Sequence, residues 1–158
     1  MHPTTTLIVP FIKNGTDKRV RGTYGGDRTD YTGDVSANTA SLETVMVMLN
    51  ATVSEVGAKF TTADIKDFFL MSELDCPEYM WIPLAQIPQR IQIAYEIARY
   101  SINDRVLVQI SKGIYGLPQA ALLAKLRLDA HLAAHGYHEI HTPCLYKHDT
   151  RPIIFTLE

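Results

Sequence analysis

The sequence predicts an α+β fold, a mainly antiparallel sheet with helices packed on one face. Three observations carry that prediction. Turn signals join apolar runs near both ends of the chain, and three internal stretches space their apolar residues helically. Residues 105–110, Arg-Val-Leu-Val-Gln-Ile, form a β-branched run. The order read along the chain is hairpin, helix, strand, helix, strand, helix, hairpin.

A chain of 158 residues is one domain or part of one, with enough length for a sizeable core. Its 46% hydrophobic and 20% charged content is that of a soluble globular protein. A net charge of −2 supplies no global pull toward nucleic acid, so such binding falls to local basic patches. Cys76 and Cys144 lack metal-ligand spacing and read as reduced thiols of an intracellular protein. No apolar run is long enough to span a bilayer, and the N-terminus lacks the parts of a signal peptide. The expectation is therefore no membrane partner and a cytoplasmic or nuclear location.

Residues 7–12 are apolar, Asn14-Gly15 is a turn signal, and residues 18–24 alternate back as a second strand. This hairpin carries Lys13, Lys18, Arg19 and Arg21. Two readings stand for these cations: a solvated face or a clamp for phosphate. Residues 25–34 read as a loop. Asn38-Thr39 offers an N-cap to a helix with Leu42, Val45, Met46, Leu49, Val53 and Val56 on one stripe, stopped at Gly57. That helix is expected to be core scaffold.

Residues 60–70, Phe-Thr-Thr-Ala-Asp-Ile-Lys-Asp-Phe-Phe-Leu, read as a short strand delivering Asp64 at its far end. Alternation places Phe60, Thr62 and Asp64 on one side and Thr61, Ala63 and Ile65 on the other. Asp64 is either an exposed aspartate opening a turn or a carboxylate that holds a cation. Carboxylate-held magnesium pairs serve phosphoryl and nucleotidyl transfer. Glu73 and Asp75, in residues 72–77, and Glu78 just beyond admit a metal-cluster reading, but they lack the spacing of a calcium loop and read as solvated. A second carboxylate beside Asp64 from this loop is the mark of an unrelated α+β enzyme.

Residues 79–82 predict a brief strand ended by Pro83, and residues 87–100 a helix. Residues 111–119, Ser-Lys-Gly-Ile-Tyr-Gly-Leu-Pro-Gln, punctuate the strand at 105–110. A helix over 118–135 follows, with Leu122, Leu126, Ala130 and Ala133 as its packed stripe and Lys125 and Arg127 off it. Gly136 ends it. Residues 144–148 and 153–157 pair around Asp149-Thr150. His131, His135, His138 and His141 cluster late in the chain, with neither Cys nor acid to complete a zinc set.

Residues 63–70, Ala-Asp-Ile-Lys-Asp-Phe-Phe-Leu, resemble the first catalytic motif of reverse transcriptases. Residues 113–121, Gly-Ile-Tyr-Gly-Leu-Pro-Gln-Ala-Ala, resemble a Tyr-Gly-Leu-x-Gln-Ala segment of the polymerases of copia-type LTR retrotransposons. His135-Gly136-Tyr137 and Thr142-Pro143-Cys144-Leu145-Tyr146 are similar to the stretch that follows in that family. The segments come in the family's order, and the resemblance covers about residues 12–157.

The resemblance implies an RNA-directed DNA polymerase, a nucleotidyltransferase that uses magnesium. It implies a right-hand fold: residues 7–57 as a fingers-like hairpin and helix, and 58–158 as palm with an interleaved fingers segment. Asp64 matches the catalytic, magnesium-binding aspartate, and the Ile65 carbonyl a second contact to the same ion. Phe69 matches the aromatic beneath the incoming sugar, and Gln119 the glutamine on the incoming nucleotide. Asp67, Lys13 and Arg19 are assigned to the nucleotide, and Lys18 and Arg21 to nucleic acid. The implied partners are a deoxynucleoside triphosphate and an RNA or DNA template-primer. The implied chemistry is in-line attack of a primer 3′-oxygen on the α-phosphate between two magnesium ions.

The sequence departs from the family in three ways. It contains no Asp-Asp pair of the Tyr-x-Asp-Asp type, Ala120 stands where retroviral enzymes carry glycine, and no thumb or RNase H segment is present. These 158 residues alone are thus expected to polymerise nothing. The alternative expectation is a non-catalytic module that binds nucleic acid or protein.

Overall fold

The computed structural model describes the backbone of residues 4–5, 7–13, 17–28 and 31–157, and the side chains of 22–27 and 31–157. The fold is α+β. The chain forms two compact units that alternate in sequence: Met1–Val35 with Phe69–Ala124, and Ser36–Phe68 with Lys125–Glu158.

In the first unit, strands β2 (Leu7–Lys13) and β3 (Asp17–Thr23) pair antiparallel, in register from Leu7↔Thr23 to Lys13↔Asp17, as the sequence predicts. Strand β4 (Glu73–Pro83) pairs antiparallel with β5 (Arg105–Lys112) and parallel with the two-residue β1 (Thr4–Thr5). The solvated loop expected at 72–77 is therefore corrected, because β4 begins at Glu73. Strand β5 continues to Lys112 and offers that stretch a partner. The register shift between Glu73 and Glu78 absorbs Pro77, which has no N–H to give to the ladder. Pro83 does end the strand.

Period-two alternation governs both strands. Glu78 and Met80 are buried while Tyr79 is exposed, and Val106 is buried while Leu107 is exposed. The core gathers Tyr24, Met80, Leu117 and Ala120, with Phe69, Leu74, Ile82, Val108, Ile110 and Ile114 packed against it.

The helix expected over 87–100 is two pieces, α2 (Gln89–Ala94) and a 3₁₀ turn (Ile97–Tyr100). Glu96 between them is left-handed at φ 49°. Neither piece buries a residue, and Tyr95 on the expected stripe is 70% exposed, so continuity would gain little burial. Gln92 anchors α2 instead, its Nε2 donating to Leu84 O at 2.9 Å and Ile87 O at 2.7 Å.

In the second unit, α1 (Leu42–Ser54) starts later than expected. Ser41 is its N-cap, the Oγ accepting from Thr44 N at 3.2 Å. The backbone N–H of Glu43 and the Ser41 side chain hold the Glu43 carboxyl below its ordinary value. The core role expected for α1 is also corrected: none of its residues is buried, and Leu42 and Val53 are 72% and 88% exposed. Helical periodicity names a face but not what covers it.

The division between the units falls within α3 (Ala120–Ala134). Its expected stripe is corrected as well. Ala120 and Ala124 are the buried positions, and Leu126 is 54% exposed. Gly136, at φ 77°, ends the helix as predicted. The sheet of the second unit orders β6 (Tyr137–Glu139), β7 (Leu145–His148) and β8 (Ile154–Thr156), all antiparallel. The β7–β8 hairpin is the one predicted, whereas β6 was unforeseen because three residues carry too little alternation to read. His148 closes the hairpin turn, its Nδ1 accepting from Thr150 N and Arg151 N, both at 3.1 Å. Among the described residues the strands thus make three separate sheets instead of one, and every pairing except β1–β4 is antiparallel.

A polar network lies under this sheet. Tyr146 is 1% exposed, stacks on Phe155 at 5.2 Å and donates its hydroxyl to Asp129. Lys125, expected off the packed stripe, is largely buried. Its Nζ donates to Asp129 at 2.8 Å and Glu139 at 3.1 Å and sits 5.9 Å above the Tyr146 ring. Glu139 also accepts from Cys144 N, and the buried Cys144 thiol donates to Asn38 O at 2.9 Å.

Candidate functional site

The residues expected to carry chemistry fall in both units. Asp64, Ile65 and Asp67 belong to the second. The strand expected to deliver Asp64 is corrected: residues 58–65 have no regular structure, and residues 58–67 are all exposed. An alternating pattern becomes a strand only with a hydrogen-bonded neighbour, and no described residue pairs with this segment. Asp67 is left-handed at φ 54°, a conformation aspartate tolerates better than most residues.

The resemblance implies magnesium, and the described residues do not fit a magnesium pair. They offer the Asp64 carboxylate and the Ile65 carbonyl, and among them no group of three or more His, Cys, Asp or Glu side chains gathers. Magnesium bound in enzymes uses one or two carboxylates together with substrate phosphates and water. One exposed aspartate does not position two ions.

Phe69 and Gln119 belong to the first unit, and the fold brings their segments together. Phe69 opens a 3₁₀ turn, Phe69–Met71, whose O accepts from Ser72 N at 3.2 Å. Ser72 O in turn accepts from Gly113 N at 2.8 Å, and the Phe69 ring meets Tyr115 edge-on at 5.2 Å. Both glycines of the 113–121 segment are explained by this packing. A Cβ on Gly113 would stand 2.4 Å from Phe69 O, and one on Gly116 would stand 2.1 Å from Tyr24 O. Gly116 also lies at φ 91°, where side chains are strained. The neighbouring Tyr115 O accepts from Tyr24 N at 2.8 Å, which seats the loop against the end of β3.

Gln119 is 4% exposed and faces inward. Its Nε2 donates to Glu78 Oε1 at 3.4 Å, and the Tyr24 hydroxyl donates to Glu78 Oε2 at 3.4 Å. The Gln119 Oε1 is buried without a partner. Tyr24 is the member of this cluster that sequence reasoning missed, and the solvated reading of Glu78 is corrected, because its side chain is buried. The signal was present: Glu78 shares its strand face with Met80 and Ile82, so the carboxylate had to point into the core.

Lys13, Lys18, Arg19 and Arg21 lie on β2 and β3, where Lys18 pairs with Ile12, Arg19 with Phe11 and Arg21 with Val9. Their side chains fall outside the described residues, so the phosphate-clamp expectation rests on sequence. Among the described residues no helix is long and apolar enough to cross a membrane. No protein-family model, no curated protein and no solved structure matches the chain.

Proposed function

We propose that these residues are the fingers and palm segments of an RNA-directed DNA polymerase of the copia type, and that alone they bind template-primer without extending it. The observation that carries the reading is the alternation of the two units along the chain. A fingers segment interleaved in a palm requires that pattern. One switch falls after Phe68, separating Asp64 from Phe69, and the next falls shortly after Gln119. The unit boundaries differ from the expected division at 57/58: α1 falls with the Asp64 segment instead of with the β2–β3 hairpin, and Phe69 falls in the hairpin's unit.

Further support comes from the packing of the 113–121 segment, whose two glycines and Tyr115 are held against Phe69 and Tyr24. Magnesium, when bound by a complete polymerase site, stabilises the attacking and leaving oxygens of the transfer. In these residues the Asp64 carboxylate and the Ile65 carbonyl are the groups suited to contact it. The basic hairpin supplies the cations for phosphate.

The test is to mix the purified 158-residue chain with a labelled RNA–DNA template-primer across a salt series. Binding is expected to weaken steeply with salt, and the double variant Lys18→Ala/Arg21→Ala to lower the slope of log K against log salt by about 2. No primer extension is expected in magnesium and nucleotides. Salt-independent binding, or none at low salt, would contradict the hairpin assignment. Magnesium-dependent extension would contradict the statement that these residues lack a complete catalytic site.

A further inference from the structure

His131 lies in the last turn of α3, and His135, four positions on, is the first residue after its end. Their rings are 4.5 Å apart between centroids with planes inclined at 43°. Both residues are exposed, so an ion and its waters have access. His135 Nδ1 lies 2.8 Å from the backbone carbonyl of His131. A carbonyl only accepts, so Nδ1 carries the proton of the neutral ring. That leaves the His135 Nε2 lone pair free. Metal-ligating histidines are commonly oriented this way, with the other ring nitrogen donating to a backbone carbonyl.

From this geometry we infer a two-histidine chelate for a late first-row divalent cation: copper(II), nickel(II) or zinc(II). Imidazole nitrogens bind such ions at about 2.0–2.1 Å, and the ring separation lets one nitrogen of each residue reach a common ion after small side-chain rotations. The C-terminal end of a helix also favours positive charge. Magnesium, a hard ion that selects oxygen ligands, is the wrong partner here. Among the described residues no third acidic, histidine or cysteine side chain joins the pair. Water or an added ligand fills the remaining positions, so the site is open. It is independent of the polymerase reading: His135 lies in a segment that carries the resemblance, but that reading gives neither histidine a role.

The test is calorimetric titration of the 158-residue chain with copper, nickel and zinc chlorides in a non-coordinating buffer. Copper is expected to bind most tightly, as the Irving–Williams order requires. His131→Ala and His135→Ala should each weaken binding at least about tenfold, because either one converts a chelate into a single contact. The double variant should bind more weakly than either single variant, because it removes the remaining contact as well. His138→Ala, which removes the ring 3.4 Å from Asp149, should bind like the parent chain. Unchanged helical circular dichroism in the exposed His131 and His135 variants guards against a folding artefact. Parent-like affinity in the double variant, or an equal loss in His138→Ala, would overturn the proposal.

Discussion

Replacing Lys125 with methionine is expected to lower unfolding free energy by about 1–3 kcal/mol, because it leaves two partly shielded carboxylates without their cation. The Lys125 side chain is 15% exposed, and those of Asp129 and Glu139 are 29% and 32% exposed. Screening by solvent is therefore partial, which places the expected cost below that of a fully buried pair. Each carboxylate keeps one donor, the Tyr146 hydroxyl on Asp129 and Cys144 N on Glu139, which moderates the loss.

The same network fixes a pH dependence. Burial pushes the Lys125 ammonium toward neutrality, but its hydrogen bonds to Asp129, Glu139 and Tyr146 outweigh that and leave its pKa raised. Burial, then the Asp129 hydrogen bond, raises that of Tyr146. Both groups keep their protons longer in the folded chain than in the unfolded one. Their contribution is complete at neutral pH and is lost as the pH climbs past about 10, where the unfolded chain begins to release these protons. Urea unfolding of the parent chain and Lys125→Met from neutral to alkaline pH checks both parts. A Lys125→Met midpoint equal to that of the parent at neutral pH would show that the network contributes nothing.

Gly116→Ala is expected to cost about 3–5 kcal/mol, combining a strained backbone conformation with a steric clash. The clash is with backbone, the Tyr24 carbonyl at 2.1 Å, and Thr23 Cγ2 stands a further contact at 2.9 Å. The Tyr24 carbonyl cannot swing away without disturbing the Tyr24 N to Tyr115 O bond that seats the loop. Circular dichroism melts of the variant should show either a strongly lowered transition or no cooperative fold. An unshifted melt would mean that the 113–121 loop does not sit against Tyr24.

Much of the fold was legible where a signal is local. Asn14-Gly15 announced the pairing of β2 with β3, and Gly136 marked the end of α3. The β-branched run at 105–110 announced β5, and Pro83 stopped β4. The failures share a cause: the pattern was right and its partner was absent or unforeseen. Residues 60–65 alternate like a strand, yet no described strand pairs with them. The α1 stripe is helical, yet none of its residues is buried. Residues 73–77 looked like an acidic loop until β5 supplied a ladder for β4.

The candidate site divides in the same way. Gly113 and Gly116 were visible as punctuation, and only the packing shows which backbone atoms they admit. Gln119 was read toward a nucleotide, whereas the fold turns its side chain inward to Glu78. The alternation of β4 already implied that placement for Glu78, but a lone glutamate in an acidic stretch reads as solvated until the strand is known. The His131–His135 pair was legible as spacing. Its fixed tautomer was not, because that depends on one hydrogen bond to a carbonyl.

The most direct test of the polymerase reading is the nucleotide sequence immediately downstream of codon 158 in the gene. The reading predicts a short apolar stretch followed by an Asp-Asp pair, in frame or recoverable by a single frameshift. It would supply the carboxylates that Asp64 lacks. Downstream sequence with no acidic pair after an apolar stretch in any frame would contradict the assignment and leave the chain as a binding module.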